Sequence, residues 1–174
     1  ARWIAAHFGC HVSGIDLTAA FCEAAAALTE ATGQSAMVDV RQASATAMPF
    51  PDETFDRVYS QNVVMNVSDK SAFYGEAFRV LKRGGIAAFS NLGAGPAGPA
   101  YYPTPWAQSA ETSFLSTSEE TQAHLRGAGF EIVSFQVASP EKLKAQAAAR
   151  MKAAAAGTPK LGVHVFMGER YVAY

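Results

Sequence analysis

Cysteine is scarce, and so is any surplus of charge. Only Cys10 and Cys22 occur, too few for a disulfide framework, so a reducing cytoplasm is the expected setting. The 14 Lys and Arg are balanced by 15 Asp and Glu. A nucleic-acid surface needs clustered positive charge, so no nucleic-acid partner is expected. Long apolar runs are also missing. None approaches the roughly 18 residues of a membrane-crossing helix, and no signal-peptide pattern is visible. With 174 residues, the chain is long enough for one domain with its own core.

The sequence does contain alternating strand and helix signals. Ala1 to Gly9 reads as the second half of a helix, with Trp3, Ile4 and Phe8 on one face and Gly9 as its stop. Cys10 to Ile15 is a strand candidate ending at Asp16, and Thr18 is placed to cap the next helix. That helix carries Phe21, Ala25, Leu28 and Thr32 on one side and ends at Gly33. Ser35 to Gln42 is the next strand, followed by a small-residue loop from Ala43 to Ala47.

The stretch from Met48 to Val67 organises the rest. Pro49 and Pro51 make its first part a loop, because proline removes backbone donors and restricts its neighbours. Phe55 to Ser60 reads as a buried strand, with Gln61 and Asn62 at its carboxyl end. Ligands of open parallel sheets sit beyond such ends. Ser68 then caps a helix whose stripe is Phe73, Ala77, Val80 and Leu81. Arg79, Lys82 and Arg83 suit the negative end of that helix, and Gly84 and Gly85 close it. Ile86 to Asn91 is a strand, and Gly93 to Pro105 is too rich in glycine and proline for regular structure.

Thr117 and Glu120 have capping-box spacing for a helix reaching about Gly127. Ile132 to Ala138 reads as a strand, Pro140 to Ala156 as an alanine-rich helix, and Val163 to Met167 as the last strand. Up to six strands alternating with helices predict an α/β fold: a doubly wound, mostly parallel sheet with helices on both faces and an antiparallel edge strand. One such sheet would hold the segments around Ile15, Val58 and Phe89 together.

Several signals have two readings. Asp16 closes a strand before a helix, where a carboxylate can accept both hydroxyl protons of a ribose. Taken alone, a helix-capping aspartate is the commoner role for it. Gly93, Gly95 and Gly98 match G-x-G-x-x-G after a strand. Pro99, Pro103 and Pro105 forbid the helix a phosphate would need, so the match is read as a loop. His7, Cys10, His11 and Cys22 lack zinc-site spacing, and no metal is expected. Tyr101, Tyr102 and Trp106 either cage a cationic ligand or pack their own loop down. The basic helix with Lys142, Lys144, Arg150 and Lys152 reads as a solvated face.

The run ATAMPFPDETFDRVYSQNVVMNVSDKSAFYGEAFRVLKRGGIAAFSN resembles the Rossmann-like S-adenosylmethionine-dependent methyltransferases. The family pattern is a Leu-Pro-Phe-like loop, a Phe-Asp-x-Val strand and a helix ending in Arg-Val-Leu-Lys-x-Gly-Gly. GIDLT resembles the family's second strand. The resemblance extends from Ala1 to about Val137 and implies S-adenosyl-L-methionine as cofactor. It implies Asp16, with Leu17 beside it, at the ribose, Ser44 and Ala45 at the adenine, and Gln61 at the methionine end. Ser44 stands where the family often has an aspartate, a stronger acceptor. The resemblance also implies a first strand and glycine-rich loop ahead of Ala1, so the N-terminal part of a single methyltransferase domain spanning residues 1–174 is expected to be missing from it.

SQNVVMN and YYPTPWAQSAETSFLST are most similar to sarcosine and dimethylglycine N-methyltransferases. That likeness implies a small-molecule acceptor, such as one of those amines, with Asn62, Asn66, Tyr102 and Trp106 on the acceptor side and a homodimer as the candidate assembly. C- or O-methylation of a quinone-like or other small acceptor, and a non-catalytic assembly module, are the alternatives. A tertiary amine has no proton to lose on attack, so no catalytic base is assigned, and His124 and His164 lie away from the expected mouth.

Overall fold

A computed structural model of the chain describes residues 1–96 and 98–137, with Lys144, Ala145 and Ala148 beyond them. The strand expected over Val163–Met167, and the helix over Pro140–Ala156 apart from those three residues, lie outside this range. The elements are α1 (Arg2–Phe8), β1 (Val12–Asp16), α2 (Ala19–Ala31), β2 (Val38–Gln42), β3 (Phe55–Gln61), α3 (Lys70–Arg79), β4 (Leu81–Ser90) and α4 (Ser118–Gly127). Short 3-10 turns occupy Val64–Asn66 and Ala110–Thr112.

β1 and β2 pair in parallel, from Val12 opposite Val38 to Asp16 opposite Gln42. β3 pairs with β4. Phe55 N–H donates to Val80 O at the start, and Asn62 N–H to Ser90 O just past the end, so these strands also run the same way.

The single sheet expected from the sequence is described as these two strand pairs, with Ile15 in one and Val58 and Phe89 in the other. No ladder joins β1 to β3 among the described residues. The parallel pairing and the alternation with helices are as expected.

The described chain divides into two compact units: Ala1–Ser60 with Asp69–Phe89, and Gln61–Ser68 with Ser90–Tyr174. In the first, the residues of the stripe the sequence indicated are buried, Phe73 and Ala77 on α3, Val80 at its C-cap and Leu81 at the start of β4, joined by Tyr74. Tyr74 and Phe73 meet Phe89 of β4 edge to face, at 5.2 and 6.1 Å between ring centroids. In the second, Val64, Met65, Ala107 and Leu125 are buried. Phe114 N–H donates to Met65 O, and Ala94 N–H to Ser116 O, folding the irregular loop back on itself. A Cβ on Gly93 would lie 2.9 Å from that Ser116 oxygen, so this return needs glycine.

Several local expectations are corrected. Thr18 occupies the cap position of α2, but its side chain makes no capping bond. The Asp16 carboxylate accepts the Thr18 N–H instead, at 2.8 Å. α2 buries Cys22 and Thr29, while Phe21 and Leu28 remain exposed, because the inward face is turned from the one the larger residues suggested. Trp3 and Phe8 are likewise exposed, and they stack around His7.

Asp69, not Ser68, caps α3 by accepting the Ala72 N–H. That helix stops at Arg79, so Lys82 and Arg83 serve β4 and reach back to Asp56 and Glu53 rather than to the helix end. The strand expected at Ile132 is not formed over residues 131–137. Val133 and Val137 are exposed there, and among the described residues no ladder joins this segment to another strand.

Candidate functional site

The parallel register brings the carboxyl ends of β1 and β2 together, because Asp16 and Gln42 are opposite one another. Ala43 N–H extends the pairing to Asp16 O, and Gln42 Nε2 donates to Leu17 O at 3.1 Å. Asp16, Leu17, Ser44 and Ala45 therefore gather at one edge. Asp16 uses Oδ1 on Thr18 N–H, and the described residues give Oδ2 no partner. Leu17 is 71 % exposed, an uncovered apolar surface beside that carboxylate.

Ser44 makes local bonds in its own turn. Its Oγ lies 2.8 Å from Thr46 Oγ1 and accepts the Thr46 N–H, so the hydroxyl closes its own turn. Ala47 N–H donates to Ser44 O across the same turn. Ala45, half-buried at its apex, has no hydrogen-bond partner for its N–H among the described residues. The turn held by Ser44 therefore leaves the Ala45 amide as an open donor beside the Asp16 edge.

Gln61 ends β3 and belongs, with the expected acceptor residues, to the second unit. Asn62 follows with φ 55°, a left-handed conformation that asparagine tolerates better than most side chains. Gln61 and Asn62 are exposed, and Asn66 closes the 3-10 turn by donating its N–H to Val63 O. Trp106 Nε1 donates to Ser113 Oγ at 3.0 Å. Phe114, the next residue, bonds to Met65 beside Asn66. Trp106 and the Asn66 turn are thereby tied to one short segment. Tyr102 is half-buried and Tyr101 is 79 % exposed, so the three aromatics do not share one environment.

Sequence reading missed Ser60 and Asn91. Ser60 Oγ and Asn91 Oδ1 are buried with no hydrogen-bond partner among the described residues, which costs about 1–3 kcal/mol apiece for groups left unsatisfied. Ser60 is near the carboxyl end of β3 and Asn91 follows β4. Nothing in their local sequence separates them from ordinary strand-end residues.

A methyltransferase-domain family matches residues 1–89, just over half of the chain. The chain belongs to that family. Wheat (Triticum aestivum) phosphoethanolamine N-methyltransferase is 28 % identical over 130 residues, which is 75 % of this chain and 22 % of the wheat protein. The glycine/sarcosine/dimethylglycine N-methyltransferase of Actinopolyspora halophila is 32 % identical over 91 residues, 52 % of this chain and 16 % of that enzyme. Among solved structures, the 4+2 cyclase SpnF superposes with a TM-score of 0.66 at 26 % identity, covering 79 % of this chain and 52 % of the cyclase. The chain spans between a sixth and a quarter of the length of those two curated relatives. The fold is the Rossmann-like α/β class of these proteins. Among the described residues, no helix is long and apolar enough to cross a membrane.

Proposed function

We propose that this methyltransferase-family chain binds S-adenosyl-L-methionine and takes part in methyl transfer to a small molecule. The observation that carries the reading is the convergence of Asp16, Leu17 and the open Ala45 amide at the joined ends of β1 and β2. Asp16 holds the ribose hydroxyls through its carboxylate, Leu17 covers an apolar face of the nucleoside, Ala45 donates its N–H to the adenine, and Ser44 holds that turn in shape. Gln61 is assigned to the methionine end. When bound, the cofactor supplies a methyl group already activated on a sulfonium. The protein's part is then alignment and exclusion of water rather than activation.

For the acceptor we favour an amine, such as sarcosine or dimethylglycine. Asn62, Asn66, Tyr102 and Trp106 offer amides, a phenol and an indole, but neither an imidazole nor a carboxylate. Such a set suits a tertiary amine such as dimethylglycine, which loses no proton on attack; sarcosine, a secondary amine, sheds its proton only after transfer, whereas a phenol or carbon acid would call for a base. Trp106 has its N–H occupied by Ser113, which leaves the ring face for a cationic group. Residues 1–174 are read as belonging to one methyltransferase domain.

A second reading has its own support. A cyclase shares this fold at 26 % identity, so the fold by itself does not require methyl transfer. Calorimetry with S-adenosylhomocysteine tests the binding claim: Asp16→Ala should weaken affinity by about tenfold or more, as loss of a hydrogen-bonded charged group does, with circular dichroism unchanged. Unaltered affinity would remove Asp16 from the site. Radiolabelled-methyl transfer to a panel of amines, phenols and carbon acids then separates the two readings, because a binding-only protein labels none of them.

A further inference from the structure

Residues 48–54 contain Pro49 and Pro51 and form neither helix nor strand, yet two residues of α3 hold the segment at several points. Glu76 Oε2 accepts the Met48 N–H at 2.6 Å. Arg79 donates from Nη2 to Met48 O at 3.0 Å and from Nη1 to Phe50 O at 2.7 Å. The same guanidinium bonds both oxygens of Glu76 and reaches Asp52 at 2.8 Å. Most of these contacts on the segment are to backbone atoms, so they set the path of the chain rather than the place of one side chain.

That path leads directly into the cofactor edge. Met48 follows Ala47, which closes the turn carrying the Ala45 amide. A second tether runs through Phe50, whose ring lies 5.3 Å from the guanidinium carbon of Arg41 on β2 and 4.9 Å edge to face from Phe55 on β3. Moving the backbone at Met48 and Phe50 therefore moves both flanks of the Ser44–Ala45 turn.

We propose that Glu76 and Arg79 are positioning residues for the cofactor: they fix residues 48–52 and, through them, the Ala45 amide that meets the adenine. This rests on the cofactor reading above. A planar guanidinium with five donors can span Glu76, Met48 O, Phe50 O and Asp52 together, which a lysine ammonium cannot do. The hydrogen bond from Arg79 also holds the Glu76 carboxyl below the usual carboxylate range, so the pair stays ionised at neutral pH.

The test compares wild type with Arg79→Lys and Glu76→Gln by amide hydrogen exchange, by S-adenosylhomocysteine calorimetry and by steady-state kinetics. Arg79→Lys should speed exchange across residues 48–54 by about tenfold and weaken S-adenosylhomocysteine by about tenfold, the scale of one lost charged hydrogen bond. The KM for the cofactor should rise while kcat at saturating cofactor stays within about twofold, because no reacting atom is touched. Glu76→Gln keeps an acceptor for Met48 N–H, so its losses should be smaller. If Arg79→Lys does not fold, the Glu76→Gln measurements decide alone. Faster exchange with unchanged affinity would reduce the pair to a structural clamp and overturn the proposal, as would unchanged exchange. Failure of the cofactor reading has a different signature: wild type itself would not bind S-adenosylhomocysteine, and the positioning role would fall with it.

Discussion

The two compact units are built by different means. In the unit formed by Ala1–Ser60 and Asp69–Phe89, the interior is made of large side chains. Phe73, Tyr74 and Val80 are less than 2.5 % exposed, and the rings of Phe73, Tyr74 and Phe89 meet edge to face. The described part of the other unit has few large buried groups and many hydrogen-bonded turns: Thr104 bonding both ways with Ala107, Trp106 with Ser113, and a full capping box on α4. The difference separates two tasks. Packing fixes a frame that can hold the residues proposed for the cofactor, whereas turn chemistry lets those proposed for the acceptor vary without emptying a core.

That contrast is broken most severely by removing a ring from the first unit. Phe73→Ala should cost about 3–5 kcal/mol, the usual penalty for deleting a buried aromatic. Urea unfolding should show the midpoint falling with the slope preserved. A loss below about 1 kcal/mol would mean that the ring cluster is not the frame.

A smaller effect is expected in the second unit. The Thr117 side chain accepts the Glu120 N–H at 3.2 Å, and Glu120 accepts the Thr117 N–H at 2.8 Å. Thr117→Ala removes one side of this exchange and should cost about 1 kcal/mol. Amide exchange confined to the first turn of α4 is the measurement. Unfolding of both units together would show that local turn chemistry is not what sustains this one.

The same contrast explains what the sequence could reveal. The capping box on α4 was legible because its partners are three residues apart and depend on nothing distant. The α3 stripe was legible because Phe73, Ala77, Val80 and Leu81 repeat at helical spacing. The α2 stripe misled, because Phe21 and Leu28 also repeat at helical spacing and only the packing shows that Cys22 and Thr29 face inward. At the candidate site, the local reading of Asp16 is the one on view: one carboxylate oxygen accepts the Thr18 N–H at the start of α2, and its ribose role belongs to the proposal. The bonds that Ser44 makes to Thr46 were not legible, since such a local turn is not ranked by propensity. The Arg79 clamp was read as a helix-end charge. Its partners Met48, Phe50 and Asp52 lie 27 to 31 residues away, a separation that no periodicity reports.

The smallest expected effect concerns the Lys82–Asp56 ion pair, and it sharpens the contrast from the other side. The two side chains are 46 % and 77 % exposed, with 3.0 Å between them. Asp56 is held below the usual carboxylate range, first by the Lys82 hydrogen bond and then by its charge. A depressed carboxyl contributes stability above its ordinary range and loses it as pH falls through the depressed value. Lys82→Ala should therefore leave the thermal midpoint at neutral pH and physiological salt almost unmoved, because solvent and salt screen exposed pairs. The variant should also flatten whatever small acid-side decline the pair gives to wild type. Thermal scans from neutral to acidic pH, at low and at physiological salt, read both effects. If Lys82→Ala at physiological salt lowered the midpoint as far as Thr117→Ala does, the first unit would owe its stability to surface charge as well as to its rings, and the division between packed frame and hydrogen-bonded turns would no longer hold.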